Sequence, residues 1–81
     1  MTKEDIISKV NEFLVDEIEI DEAVIKPESR LKDDLGIDSL DFVDIVVIVE
    51  KHFGFKIKAE EMANVLTVSD FYAYIESKVN Q

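Results

Sequence analysis

An all-α fold is what this sequence predicts: a four-helix bundle of three longer helices and one short one, with a long ordered loop between the first two. Three observations carry the prediction. Apolar residues recur at helical spacing in three separate stretches, each opened by a Ser, Thr or Asp with an acid three residues behind its capping position. Between the first two stretches that periodicity fails, and Pro27 breaks any helix there. Eighty-one residues have surface for one core only, so residues 1–81 are expected to form a single domain.

The first helix opens on Thr2 and Asp5, which read as a capping box, and its residues Ile6, Ile7, Val10, Phe13 and Leu14 fall within one arc of a helical wheel. Its other face carries Lys3, Glu4, Ser8, Lys9, Asn11 and Glu12 and is assigned to scaffolding. From Glu17 to Ile37 the apolar residues are spaced irregularly. A connection of that length in so small a domain must tuck side chains into the core, and Ile20, Ile25 and Leu31 are the expected plugs.

The central helix is predicted from Ser39 to His52, with Asp38 as N-cap, Asp41 in the first turn, Lys51 and His52 in the last, and Gly54 just beyond. Its run Ile45-Val46-Val47-Ile48-Val49 has the composition of a buried strand. The β-branched residues cost roughly 2 to 3 kcal/mol in helix propensity. Burying two of those side chains, at about 1.5 to 3 kcal/mol each, offsets that cost, so packing decides for helix. Phe42, Ile45, Val46, Val49 and Phe53 form one stripe, directed to the core. Leu40, Val43 and Val47 form a second, which shares its side with Asp44, Glu50 and Lys51 and stays partly in water. A surface with an apolar middle and acidic edges suits transient docking of a partner.

Beyond Gly54, Phe55 and Ile57 alternate with Lys56 and Lys58 as an extended connector. A short helix is expected from Ala59 to Asn64, with Met62 and Val65 inward. Thr67 and Asp70 form a further capping box, opening a last helix with Val68, Phe71, Tyr72, Ile75 and Val79 on one face and Tyr74 at its edge.

Nineteen acids against nine bases give a formal charge of −10, concentrated between Asp16 and Glu22 and between Asp33 and Asp44. Such a surface argues against nucleic acid and anionic membranes as partners and for proteins with basic patches. Without cysteine there is no disulfide framework and no thiolate chemistry of the chain's own. No stretch has the length of a membrane span or the pattern of a signal peptide, so a cytoplasmic monomer is expected. A calcium loop with Gly36 at its sixth position would put Leu31 at the first ligand, so no dedicated metal site is expected. His52 stands thirteen residues of helix from Ser39, roughly 20 Å, which excludes a dyad and leaves it to complement the helix C-terminus. No catalytic residues are expected.

The hydroxyl of Ser39 in the first turn of a long helix lies at the positive end of the helix dipole, where a phosphate is best tolerated. Alone, that placement reads far more readily as plain capping. The whole string Asp33-Asp34-Leu35-Gly36-Ile37-Asp38-Ser39-Leu40-Asp41-Phe42-Val43-Asp44, with Glu50 and Phe53-Gly54 behind it, closely resembles the acyl carrier protein family, from about Thr2 to Val79. The resemblance implies that Ser39 is esterified by 4′-phosphopantetheine, taken from coenzyme A by a phosphopantetheinyl transferase. The arm's thiol would carry acyl groups as thioesters between enzymes of fatty acid or related lipid or polyketide biosynthesis. It also implies that Asp38, Asp41, Asp44 and Glu50 meet basic patches on acyl-transfer and synthase enzymes, around an apolar centre at Leu40 and Val47. Lys51, Phe42, Ile48 and the pair Lys58-Ala59 depart from the family's usual pattern, which leaves room for a specialised pathway. An aminoacyl or peptidyl carrier, and an unmodified acidic interaction module, are the alternative readings.

Overall fold

The computed structural model describes residues 1–80. Four α-helices follow in order: α1 (Lys3–Asp16), α2 (Ser39–Phe53), α3 (Ala59–Met62) and α4 (Val68–Val79). A single 3-10 turn, Glu22–Val24, interrupts the long connection between α1 and α2. Among the described residues the only β pairing is an isolated antiparallel bridge between Arg30 and Thr67.

The core is built from the predicted arcs. Ile6, Val10, Phe13 and Leu14 of α1 are buried, as are Ile45, Ile48 and Val49 of α2 and Val68, Phe71, Tyr72 and Ile75 of α4. Phe13 meets Phe71 edge to face at 6.5 Å, the arrangement the ring quadrupoles favour, and the Tyr72 hydroxyl donates to Asn11 Oδ1. Each buried aliphatic or aromatic side chain contributes about 1.5 to 3 kcal/mol relative to exposure. The β-branched run of α2 is helical throughout and extends one residue beyond the expected end, to Phe53. Gly54 closes it at φ +78°, a left-handed cap suited to glycine, and its N–H donates to Glu50 O.

Several expectations need correction. Thr2 Oγ1 accepts from the Asp5 N–H at 3.2 Å, but the reciprocal bond of a capping box is not formed. Ile20, Ile25 and Leu31 lie only half-buried against the core, and Leu35 is the residue of the connection that the core encloses. The buried arc of α2 is turned from the expected stripe toward Ile48, which belongs to neither stripe: Ile45, Ile48 and Val49 are buried, whereas Phe42, Val46 and Phe53 are only half-buried. α3 is shorter than expected, ending at Met62 with a turn through Ala63 and Asn64. α1 ends on Glu17 in a right-handed conformation, and the chain turns away two residues later through Glu19 at φ +62°, a left-handed turn without glycine and so without a sequence signal.

The long connection is held by backbone bonds to the start of α4. Val68 N–H donates to Ser29 O and Ser69 N–H to Pro27 O, each at 2.9 Å, so the loop satisfies two donors that a helix N-terminus leaves without partners. Thr67 Oγ1 takes a third, from the Asp70 N–H, while Asp70 completes the capping box. Leu31 N–H donates to Leu66 O, and Ser29, buried, turns its hydroxyl to Val24 O at 2.7 Å. The strap fixes where the turn Arg30–Asp34 sits, and through it the entry to α2.

Candidate functional site

Ser39 is the first residue of α2 and is exposed. The chain reaches it through Gly36 at φ +72°, the left-handed turn that lets Leu35 enter the core while Asp38 faces outward. Asp38 then caps the helix, its Oδ1 accepting from Leu40 N–H at 3.0 Å and Asp41 N–H at 2.9 Å. Asp41 returns the bond by accepting from Asp38 N–H at 3.4 Å. All the capping bonds run through these two aspartates, which leaves the Ser39 hydroxyl free for chemistry. They also occupy N–H groups that the sequence suggested would stand unpaired beside it, so the helix offers a phosphate its dipole rather than those donors.

Beside Ser39 opens an apolar cleft of about 340 Å³. Its walls come from four segments: Leu31 and Ile37 of the connection, Phe42 and Ile45 of α2, Met62 and Val65 of α3 and its following turn, and Leu66 with Phe71 beyond. Asp38, Ser39 and Lys32 stand with them around the opening. Lys32 is the one cation of this lining, on a chain where cations are scarce. Ser39 and Lys32 thus border the same cleft, with Ser39 at the positive end of the dipole of α2, where a phosphate group is tolerated. These residues fit the group.

The second stripe of α2 is exposed as the wheel predicts, with Leu40 at 76%, Val47 at 61% and Val43 at 59% exposure, values unusual for large apolar side chains. Asp44 and Glu50 flank it, exposed, whereas Asp41 is half-buried in the capping box. None of Asp38, Asp41, Asp44 and Glu50 takes part in an ion pair among the described residues. The acids of this face therefore keep their charge for other molecules.

His52 does not serve only the end of α2. Its ring stacks on Phe13 at 6.2 Å, with 7° between the planes, and Nε2 lies 3.4 Å from Glu17 Oε2. It has no contact with Ser39's end of the helix. No group of three or more His, Cys, Asp or Glu side chains that could hold a metal ion occurs among the described residues, and none of their helices is long and apolar enough to cross a membrane.

Sequence reading missed the groups that hold α3. Tyr74 of α4 donates its hydroxyl to Glu61 Oε1 at 3.0 Å, and Lys78 Nζ lies 3.0 Å from Glu61 Oε2. The Glu61 carboxyl is held below its ordinary range, chiefly by the Lys78 bond and then by Tyr74, while the same bond pushes the Lys78 ammonium up. Burial pushes the Tyr74 phenol up. The Asp70 carboxyl is lowered by the N–H groups of Thr67 and then Leu66.

The fold is thus a small helical bundle with an exposed serine at the start of its second helix, beside an apolar cleft. The family profile described as "Phosphopantetheine attachment site" matches residues 8–75, most of the chain. The chain is similar to the acyl carrier protein of Thermotoga maritima, 40% identical over 78 residues and covering 96% of each chain. It is likewise similar to that of Solidesulfovibrio magneticus, 36% identical over 73 residues, 90% of this chain and 94% of the relative. This chain belongs to the acyl carrier protein family. Membership makes it a carrier and not an enzyme, one that takes 4′-phosphopantetheine covalently and works with transferases and synthases. The reading as an unmodified interaction module is not supported by these matches.

Proposed function

We propose that Ser39 is the attachment residue: bound to a phosphopantetheinyl transferase, its hydroxyl oxygen attacks the pantetheine-bearing phosphorus of coenzyme A, the pyrophosphate bond breaks with release of adenosine 3′,5′-bisphosphate and of the hydroxyl proton, and the arm's thiol then carries acyl groups as thioesters. The observation that carries this reading is the division of labour at the start of α2. Asp38 and Asp41 do the capping, so the exposed hydroxyl between them is not needed by the fold. The apolar cleft favours an acyl cargo over an aminoacyl or peptidyl one, because each methylene that leaves water for it contributes up to about 0.8 kcal/mol. The pathway is fatty acid or related lipid or polyketide biosynthesis, in the cytoplasm, with residues 1–81 acting as one monomeric carrier domain.

Partner enzymes with basic patches read the outer face of α2, with Leu40, Val43 and Val47 as the apolar centre and Asp38, Asp41, Asp44 and Glu50 as the charged surround. A small apolar centre with unpaired charges at its edge favours fast association and ready release, which a shuttle needs at every transfer.

Incubation with coenzyme A and a promiscuous transferase tests the assignment by intact mass. The native chain should gain one phosphopantetheine, and Ser39→Ala none, while the circular dichroism of Ser39→Ala stays that of the native helix content. Its stability should fall by less than about 1 kcal/mol. Loading of Ser39→Ala, or a native chain that no transferase loads, would contradict the assignment.

A further inference from the structure

We infer that Glu61, Tyr74 and Lys78 form a clamp that positions α3 and thereby sets the length of acyl chain the cleft beside Ser39 accepts. The inference rests on the cleft being the seat of the cargo, as proposed above. Its starting point is that, beyond the half-buried packing of Met62 against the core, α3 has little else to hold it. Four residues are far below the length at which a helix is stable by itself, Lys58 at its N-cap supplies no side-chain bond, and none of its residues is buried.

What fastens α3 comes instead from α4. Glu61 spends both carboxylate oxygens there, one on the Tyr74 hydroxyl and one on the Lys78 ammonium, each at 3.0 Å. Lys58 N–H reaches the same Tyr74 oxygen at 3.4 Å, so that phenol touches both the start and the middle of the short helix. Tyr74 is in turn fixed from two sides, by Phe55 edge-on at 6.0 Å and by Lys78 at 5.7 Å from its ring centroid. Met62 immediately follows Glu61, and Met62 and Val65 are the part of α3 and its turn that walls the cleft. Where the clamp puts Glu61, the cleft wall follows. A wall half-buried against the core and pinned by two charge-assisted bonds is fixed against a short chain, yet, with no fully buried residue in α3, is the part of the cleft most able to retreat before a long one.

The test compares holo protein with protein carrying butyryl, octanoyl or dodecanoyl groups, in the native chain and in Glu61→Gln and Tyr74→Phe. For each variant the quantity read is the melting temperature of the acyl form minus that of its own holo form, since cargo that binds the folded state raises it. A purely structural loss lowers both members of the pair and leaves the difference unmoved. In the native chain the difference should rise with chain length and level off. In both variants it should shrink for butyryl and octanoyl and go on rising to dodecanoyl. The charge-swapped pair Glu61→Lys with Lys78→Glu, which restores an ion pair between the same positions, should recover the native profile where Glu61→Lys alone does not. Native and variant profiles that rise and superimpose would overturn the clamp and leave the cargo reading standing. A native profile flat with chain length would overturn the cargo reading and the clamp's role in it together.

Discussion

The second and third helices flank the same cleft and are held by opposite means. α2 is fixed by local chemistry and by burial: a reciprocal aspartate box at one end, a left-handed glycine at the other, and Ile45, Ile48 and Val49 in the core between them. α3 has no capping side chain and no buried residue, and depends on side chains that reach over from α4. The contrast teaches how a domain this small serves both a fixed and a variable need. The serine stands on the element fixed by caps and burial, and the cleft wall opposite on the element fastened by side chains of α4.

The largest test of that contrast lies within α2. Val49 is fully buried and Val47 is 61% exposed, two residues apart on one helix. Val49→Asp puts a charge into the core with nothing to pair it and should unfold the domain, a loss of more than about 4 kcal/mol. Val47→Asp should stay within about 0.5 kcal/mol of the native chain. Urea titrations of the two variants decide it. Unfolding by Val47→Asp would mean that the outer stripe is core and the proposed docking face does not exist.

A smaller effect separates the ends of α2 from its middle. An added Cβ at Gly54 or Gly36 would meet no heavy atom within 4 Å, so alanine at either costs only the left-handed backbone, about 1 to 2 kcal/mol. Urea midpoints of Gly54→Ala and Gly36→Ala should fall together. A fall at one position alone would place the other glycine's value in something besides its φ.

Much of α2 and α4 was legible in the sequence because caps are local: Asp38 with Asp41 and Thr67 with Asp70 lie three residues apart and announce their helices before any tertiary contact is known. The exposed stripe was legible from helical spacing, whereas Ser39 was singled out by the resemblance of the string around it to the acyl carrier protein family. What was not legible depends on residues distant in sequence. Leu35 is buried because the Ser29 and Pro27 carbonyls strap its loop to α4, and no spacing rule encodes that. The cleft draws on four segments, Glu61 meets Lys78 seventeen residues away, and His52 finds Glu17 thirty-five residues back. Ile48 was missed for a milder reason, because the helical wheel gives the spacing of the stripe but not how the neighbouring helices turn it, and the buried arc centres nearer Ile48 than Phe42, Val46 and Phe53.

The smallest effect concerns pH and is read at α3. The folded Glu61 carboxyl titrates below its ordinary value of 4.5, so its contribution is fully present above that value and is lost as pH falls through the lowered folded value. The Lys78 ammonium titrates above 10.5, so its contribution is present below that value and is lost as pH rises through the raised one. The clamp should therefore hold across the neutral range and loosen on both sides of it. Methyl resonances of Met62 should stay fixed through neutrality and broaden or shift in acid and in alkali. A Met62 signal that moves only with global unfolding would remove the clamp from the titration.

Residue-resolved hydrogen exchange at neutral pH tests the contrast between the two helices most directly. The amides of Val46 through Val49 should exchange only through global unfolding, with a common protection that follows denaturant. Those of Met62 and Val65, bonded to Lys58 O and Met62 O, should exchange orders of magnitude faster through a local opening insensitive to denaturant. Equal protection in α2 and α3 would contradict the account, because the cleft would then have two fixed walls and no part able to yield to its cargo.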